Sequence, residues 1–180
     1  MVSAAVIGCT GLVGSYITKS LISSPAITRI HTFSRRSLED PASASPSKLT
    51  SYVSNDTSKW VDELSRLPSP PDLFFSAFGT TRAAAGGFEN QYRIEHGLHL
   101  DLARAAKHAG CKVFVLVSSS FANHNSWLPY ARMKGEIEEN IKAPNFEHTV
   151  ILHPGMIVGS RSESRPAEAA AQALVGPLEH

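Results

Sequence analysis

The sequence has few cysteines, little net charge and no long apolar run. Cysteine occurs twice in 180 residues, which indicates a reducing compartment. The formal net charge is +1, so the charge balance gives no reason to expect a nucleic-acid partner, and we expect none. Val113 to Val117 is the longest aliphatic run. It is far shorter than the roughly 20 residues that span a bilayer, so we expect no transmembrane helix.

The two cysteines are not placed to form a disulfide. Cys9 follows the first predicted strand, and Cys111 precedes a later one. Parallel strands put these positions at opposite ends of a sheet, and a five-residue strand spans about 16 Å. A disulfide needs Cα atoms within roughly 7 Å. The sequence therefore predicts two free thiols.

Length and composition suit one ordinary globular domain. The chain is 42% hydrophobic and 18% charged, and a chain of this length is most often a single domain. We expect no secretory signal, because an apolar strand starts almost at Met1. The last three residues, Leu178 to His180, resemble the start of a polyhistidine tag, so we take residues 1–177 as the domain.

A glycine-rich turn follows the first apolar run. Gly8, Gly11 and Gly14 are spaced three apart between a predicted strand from Ala4 and a predicted amphipathic helix. Such a turn presents backbone N–H groups at a helix N-terminus to a pyrophosphate. We therefore predict dinucleotide binding here; the alternative is a glycine turn without a ligand. The predicted contact residues are Gly8, Thr10, Gly11, Leu12, Val13 and Gly14.

The end of the second predicted strand, Thr28 to Phe33, indicates which dinucleotide is bound. Ser34, Arg35 and Arg36 follow it about 20 residues after the glycine turn, where the adenosine ribose is read. An acidic residue there would bind the ribose of NAD, whereas a hydroxyl and two guanidinium groups suit a 2′-phosphate. We predict NADP (NADPH); the alternative is two solvated surface arginines.

Two further segments are predicted to face the cofactor. Leu73 to Phe78 is a continuous apolar run typical of a central parallel strand. It leads into a turn at the carboxyl edge of the sheet, so we assign Ala77, Phe78, Gly79 and Thr80 to the cofactor site. Asp56, after the short strand Leu49 to Val53, either faces the adenine or caps the next helix.

The order of elements predicts an α/β fold, a doubly wound parallel sheet of the Rossmann type in one domain. A long helix over Phe88 to Ala109 carries His96 and His99, for which no third metal ligand is evident, so no metal site is predicted. The other predicted elements are a loop over 39–48, a helix over 59–67, a strand over 112–117, a helix over 128–141, a strand over 148–152 and a final helix over 167–175.

Tyr130 and Lys134 are the candidate catalytic pair. Residues four apart share one helix face, and a nearby ammonium group favours the phenolate form of a tyrosine. Ser119, at the end of the preceding strand, is placed to bind a substrate carbonyl while Tyr130 transfers a proton. Lys134 is also placed to hold the nicotinamide ribose. Pro154 and Gly155, after the last strand, complete the predicted cofactor residues.

The sequence resembles the atypical short-chain dehydrogenases/reductases in its glycine turn (Gly8, Gly11 and Gly14) and in Ser119, Tyr130 and Lys134. Further segments resemble the fungal "found in mitochondrial proteome" family and its animal relative, the Tat-interacting oxidoreductase-like protein. The segments are Phe78 to Arg82, Ala105 to Lys112, Lys134 to Glu136 and Ser164 to Glu168. The resemblance implies an NADPH-binding fold and a peripheral location on the cytosolic face of the mitochondrial outer membrane; the alternative location is the cytoplasm.

The chain departs from its relatives in three ways. Cys9 replaces a small Ala or Ser in the glycine turn, and His153 stands where Arg often precedes Pro-Gly. Relatives also carry more chain after the Ser164-Arg165-Pro166 element. That part helps to close the substrate side, so we expect the substrate pocket to be incomplete here.

Two functions remain open at this point. One is an NADPH-dependent reductase of a small carbonyl compound that uses Ser119, Tyr130 and Lys134. The other is a non-catalytic NADPH-binding regulator or adaptor. The substrate, the oligomeric state and the mode of membrane attachment do not follow from the residues.

Overall fold

The sheet has six parallel strands in the order β3-β2-β1-β4-β5-β6. The computed structural model describes residues 2–38, 48–155 and 157. The strands are β1 Val2–Ile7, β2 Ile27–Ser34, β3 Leu49–Val53, β4 Leu73–Ser76, β5 Val113–Val117 and β6 His148–Leu152. This arrangement confirms the predicted doubly wound parallel sheet of the Rossmann type.

Six α-helical segments connect the strands in the described part of the chain. They are α1 Leu12–Ser23, α2 Ser58–Ser65, α3 Arg82–Ala85, α4 Phe88–Tyr92, α5 Leu98–Ala109 and α6 Pro129–Lys142. Most of the predicted loop over 39–48 and the predicted helix over 167–175 lie outside the described residues. So does the Ser164 to Glu168 segment.

The central strand β1 is buried on both faces of the sheet. Ala5 and Ile7 belong to a core cluster with Phe74, on the face that α2, α5 and α6 cover. The alternate residues Ala4 and Val6 belong to a second cluster on the α1 face. Because side chains alternate along a strand, a strand covered on both faces must be apolar at every position. The continuous apolar run before Gly8 follows from this burial.

The predicted helix over Phe88 to Ala109 is interrupted. Arg93–Gly97 forms a π-helical turn between α4 and α5. A π-turn adds one residue to the turn, so the residues before it face differently from those on a regular helix. Glu95 is buried, whereas Ile94, which regular spacing places in the apolar stripe, is half-buried.

The strand β4 is shorter than predicted. It ends at Ser76, before the predicted limit at Phe78.

The edge strand β6 is less covered than the strands at the centre. Val150 is 41% exposed and Leu152 is 47% exposed. Within residues 2–38, 48–155 and 157, no helix has both the length and the apolarity to cross a membrane.

Candidate functional site

The turns that follow β1 and β4 meet at the carboxyl edge of the sheet. Gly8, directly after β1, has a φ of +77°, which L side chains rarely adopt. A Cβ on Gly8 would lie 2.4 Å from the backbone oxygen of Ala77. Ala77 donates its N–H to the Ile7 carbonyl at 3.1 Å. The two turns therefore touch through backbone alone, at the point where strand order reverses and α/β proteins bind ligands.

The first helix begins directly beside this crossing. Its N-cap is Gly11, which provides no side-chain cap, and its first turn has no acidic residue. The N–H groups of Leu12, Val13 and Gly14 have no intrahelical acceptor at these positions. Gly14 is buried, and a Cβ there would lie 2.1 Å from the Gly8 oxygen. The helix N-terminus is thus held tightly against the turn, and its N–H groups without an intrahelical acceptor suit an anion.

The predicted adenosine-binding residues lie at the ends of β2 and β3. Ser34 is buried, and its hydroxyl donates to the Arg36 carbonyl at 2.7 Å. Arg35 and Arg36 are exposed. Asp56 accepts hydrogen bonds from the backbone N–H of Ser58 at 3.1 Å and from its hydroxyl at 2.6 Å. These bonds lower the pKa of Asp56. Asp56 lies directly before Thr57, the N-cap of α2, and its carboxylate binds the first residue of that helix.

Lys134 is buried behind the turn that follows β4. Its Nζ lies 2.7 Å from Glu95 Oε2, and its side chain is 7% exposed. It also lies 5.9 Å from the centre of the Tyr130 ring. A Cβ placed on Gly79 would be 3.9 Å from the same Nζ. The structure therefore brings Lys134 next to both Tyr130 and the predicted cofactor turn at Gly79.

Tyr130 and Ser119 face a more open environment. Tyr130 is 44% exposed, and Ser119 is half-buried. The Ser119 Oγ accepts a hydrogen bond from the Phe121 N–H at 3.4 Å, so its own hydroxyl proton remains available to another acceptor. Both residues lie at the carboxyl edge, Ser119 after β5 and Tyr130 in the first turn of α6.

The predicted residues after β6 lie at the same edge. The Pro154 carbonyl accepts from the Ser120 N–H at 3.3 Å, and Gly155 is exposed. His153 Nε2 lies 2.9 Å from Glu138 Oε1, an oxygen that also accepts from the Ser118 hydroxyl. His153, directly before Pro154, thus pairs with Glu138 of α6.

Sequence reasoning missed Glu95, Gln91 and Gly135. The first two are polar residues buried in a helix whose predicted buried stripe was apolar. A Cβ on Gly135 would lie 2.0 Å from the His124 backbone nitrogen, so this glycine lets the loop before α6 pack against the helix. The only indication of this packing in the sequence was that a glycine directly follows Lys134.

His96 and His99 have separate surroundings. His96 contacts Asn140 at 2.8 Å, and the ring nitrogen Nδ1 of His99 lies 2.6 Å from the Glu95 carbonyl oxygen. In the described part of the chain, no group of three His, Cys, Asp or Glu side chains could hold a metal ion. Cys9 and Cys111 are buried free thiols, and burial raises the pKa of both.

His99 should make the fold sensitive to acid. Burial lowers its pKa from 6.5 to about 4, so the unfolded chain takes up this proton at a higher pH than the folded chain does. The stabilisation is complete above about pH 6.5 and is lost as the pH falls toward 4. Between pH 7 and pH 5 we expect a loss of about 2 kcal/mol from this group.

Urea unfolding at both pH values measures this loss. The variant His99→Gln should lack this part of the pH dependence, whereas His108→Gln, at an exposed position, should retain it. An equal loss in the wild type and in His99→Gln would contradict the assignment.

Comparison with known proteins identifies the family to which this chain belongs. Residues 4–168 match the NAD dependent epimerase/dehydratase family. The chain is 62% identical over 176 residues to "Protein fmp52-1, mitochondrial" of Aspergillus terreus, covering 98% of this chain and 75% of that protein. The chain therefore belongs to the NAD dependent epimerase/dehydratase family and to the Fmp52 family of fungal proteins. This confirms the resemblance to the fungal family.

Solved structures share the fold at low identity. A short chain dehydrogenases/reductase from Saccharomyces cerevisiae has a TM-score of 0.74 at 16% identity, covering 98% of this chain and 83% of that one. The Bordetella bronchiseptica enzyme WbmH with NAD+ has a TM-score of 0.72 at 17% identity, with 98% and 63% covered. Citrobacter triphenylmethane reductase with NADP(H) has a TM-score of 0.63 at 19% identity, with 84% and 48% covered. The fold is thus that of NAD(P)-binding proteins.

Proposed function

We propose that this protein binds NADPH and uses it to reduce a small carbonyl compound. The observation that carries the proposal is the buried ammonium group of Lys134, 5.9 Å from the Tyr130 ring and beside the Gly79 turn. A charged lysine next to a tyrosine at the carboxyl edge of a dinucleotide-binding sheet favours proton transfer from the phenol.

The residues at the edge fit the cofactor. The N–H groups of Leu12 and Val13 would bind the pyrophosphate at the uncapped start of α1. Arg35 and Arg36 would bind the 2′-phosphate, because guanidinium groups pair well with phosphate. Lys134 would hold the nicotinamide ribose. Gly8 lies so close to Ala77 that there is no room for a side chain on Gly8. The turn therefore presents only backbone atoms to the cofactor at this point.

Each catalytic residue has one role in the reduction. When bound, NADPH would supply a hydride to the carbonyl carbon. The Tyr130 hydroxyl would donate its proton to the carbonyl oxygen and regain one from solvent, so the products would be an alcohol and NADP+. Lys134 stabilises the resulting phenolate by its positive charge. Ser119 donates a hydrogen bond to the carbonyl oxygen and orients it, since its own Oγ already accepts from Phe121.

A panel of small aldehydes and ketones tests the activity. The absorbance of NADPH should fall in the presence of at least one of them, with stoichiometric formation of the alcohol. The matched blank is the same panel with the Tyr130→Phe variant. Absence of turnover with every carbonyl class, in a protein that binds NADPH, would contradict the reductase proposal.

NADPH should stabilise the folded protein more than NADH does. A ligand that binds only the folded state raises the melting temperature by mass action, and only NADPH offers a 2′-phosphate to Arg35 and Arg36. Thermal unfolding with each nucleotide measures the difference. The double variant Arg35→Ala/Arg36→Ala should remove it, and Arg104→Ala, on the exposed face of α5, should not. Equal shifts in the wild type would overturn the NADP assignment.

One observation favours a second function, a non-catalytic NADPH-binding regulator or adaptor. Tyr130 is 44% exposed and nearby Trp127 is 85% exposed, so this side of the site is open in the described part of the chain. A reaction centre generally excludes water. In this case NADPH would bind with the same preference but would not be consumed. Any substrate turned over at ordinary enzymatic rates would contradict this alternative.

We further propose that the protein is peripheral to the mitochondrial outer membrane, on its cytosolic face. The support is the 62% identity to a protein named mitochondrial and the family resemblance. Fractionation of fungal cells should recover it with mitochondria, in a form that carbonate extraction releases and that added protease digests without membrane rupture. Recovery in the cytosol alone would contradict this location.

A further inference from the structure

Lys134 is not isolated in the site, because it is paired with a buried carboxylate. The Glu95 side chain is 1% exposed, and its Oε2 lies 2.7 Å from Lys134 Nζ. The two residues are 39 positions apart. Removing two charges from water is costly unless both are paired and hydrogen-bonded, so such a pair indicates a requirement for the lysine at this place.

The second oxygen of Glu95 is bound to the cofactor turn. Glu95 Oε1 accepts from the Thr80 N–H at 3.0 Å and from Gln91 Nε2 at 3.1 Å. Gln91 also donates to the Thr80 carbonyl at 2.8 Å. Both polar groups of the Thr80 backbone are therefore held by this cluster. One carboxylate joins the turn after β4 to the lysine on α6.

Glu95 lies in the π-helical turn at Arg93–Gly97, between α4 and α5. Glu95 is buried, whereas Ile94 before it is half-buried. Interruptions of this kind are frequent at functional sites. The irregular turn therefore coincides with the buried pair of Glu95 and Lys134.

We propose that Glu95 is the positioning residue for Lys134, holding its ammonium group against the Gly79–Thr80 turn so that it meets both the nicotinamide ribose and Tyr130. This inference rests on the proposed function, because it assigns a task to the same lysine. An ammonium group has three donors. Glu95 occupies one of them, which leaves two for a ribose hydroxyl and the phenolic oxygen.

Binding of whole and partial cofactor tests the proposal. NADPH reaches Lys134, whereas adenosine 2′,5′-bisphosphate contains only the adenosine end. Glu95→Gln should weaken NADPH binding by about tenfold, the effect of losing one charge-assisted hydrogen bond. Binding of adenosine 2′,5′-bisphosphate should not change. Titration calorimetry with both nucleotides measures this, and Glu89→Gln, an exposed carboxylate on α4, is the matched control.

A double-mutant cycle separates positioning from a general effect on the fold. If Glu95 acts through Lys134, then Glu95→Met/Lys134→Met should bind NADPH no more weakly than Lys134→Met alone. This double variant has no unpaired buried charge, so it serves even where Glu95→Gln does not fold. The proposal would be overturned if the two substitutions weakened NADPH binding additively in the double variant. It would also be overturned if Glu95→Gln weakened the binding of both nucleotides equally.

The outcomes distinguish this inference from the proposed function. If the wild type binds NADPH and Glu95→Gln binds it equally well, only the positioning role fails. If the wild type binds no NADPH, both proposals fail. If NADPH binding follows the expected pattern but no carbonyl is reduced, the positioning role stands and the reductase activity does not.

Discussion

Replacing Gly14 by alanine should abolish NADPH binding and lower the free energy of unfolding by about 3 kcal/mol, at the upper end for an overpacked core. The new Cβ would lie 2.1 Å from the backbone oxygen of Gly8 and 2.6 Å from its carbonyl carbon. Backbone atoms cannot move aside as a flexible side chain can. The start of α1 must therefore separate from the glycine turn, and the N–H groups of Leu12 and Val13 move with it.

A second helical glycine provides the matched control for Gly14→Ala. Apart from its two neighbours in the chain and the helix's own backbone, no described residue has an atom within 4 Å of the place that a Cβ on Gly97 would take. Gly97→Ala should therefore leave stability unchanged or raise it slightly through helix propensity. Urea unfolding and NADPH titration measure both effects. Normal NADPH affinity in Gly14→Ala would show that the close approach of helix and turn is not needed for binding.

Replacing Tyr130 by phenylalanine should reduce carbonyl turnover by roughly 10²- to 10⁴-fold, the range for removing a general acid. The change removes only the hydroxyl and keeps the ring beside Lys134. Because Tyr130 is proposed to transfer a proton and is not assigned to the cofactor, the affinity for NADPH should stay close to that of the wild type. Stopped-flow or steady-state absorbance with a substrate found in the carbonyl panel measures kcat.

Tyr16→Phe is the control for this variant. Tyr16 is also an exposed tyrosine on a helix, 63% accessible, and lies outside the proposed catalytic residues. It should retain wild-type turnover. Unchanged kcat in Tyr130→Phe would remove Tyr130 from its role and would favour the alternative in which the protein binds NADPH without consuming it.

Much of the architecture could be predicted because its signals are local. The apolar run before Gly8 predicted a strand, and β1 contributes to both core clusters. The strand over His148 to Leu152 was predicted with its observed bounds. Strand propensity, glycine turns and helical stops each depend on a few neighbouring residues, so they can be read without knowing the rest of the fold.

The long helix shows where such reading fails. A regular repeat of apolar residues predicted one helix from Phe88 to Ala109, with Ile94 in its buried stripe. The structure has a π-helical turn at Arg93–Gly97, and Glu95 is buried instead. Periodicity assumes a constant number of residues per turn. It detects neither the extra residue of a π-helical turn nor a buried ion pair with a lysine 39 positions away.

The sequence by itself determined the parts of the site that are close together along the chain. The glycine turn with the start of α1 and the pair Tyr130 and Lys134 on one helix face are of this kind, since their geometry follows from backbone rules. Only the tertiary structure decided that Glu95 joins Lys134 to the Thr80 turn. That contact depends on the packing of α6 beside the π-helical turn, and packing between distant segments leaves no local signal.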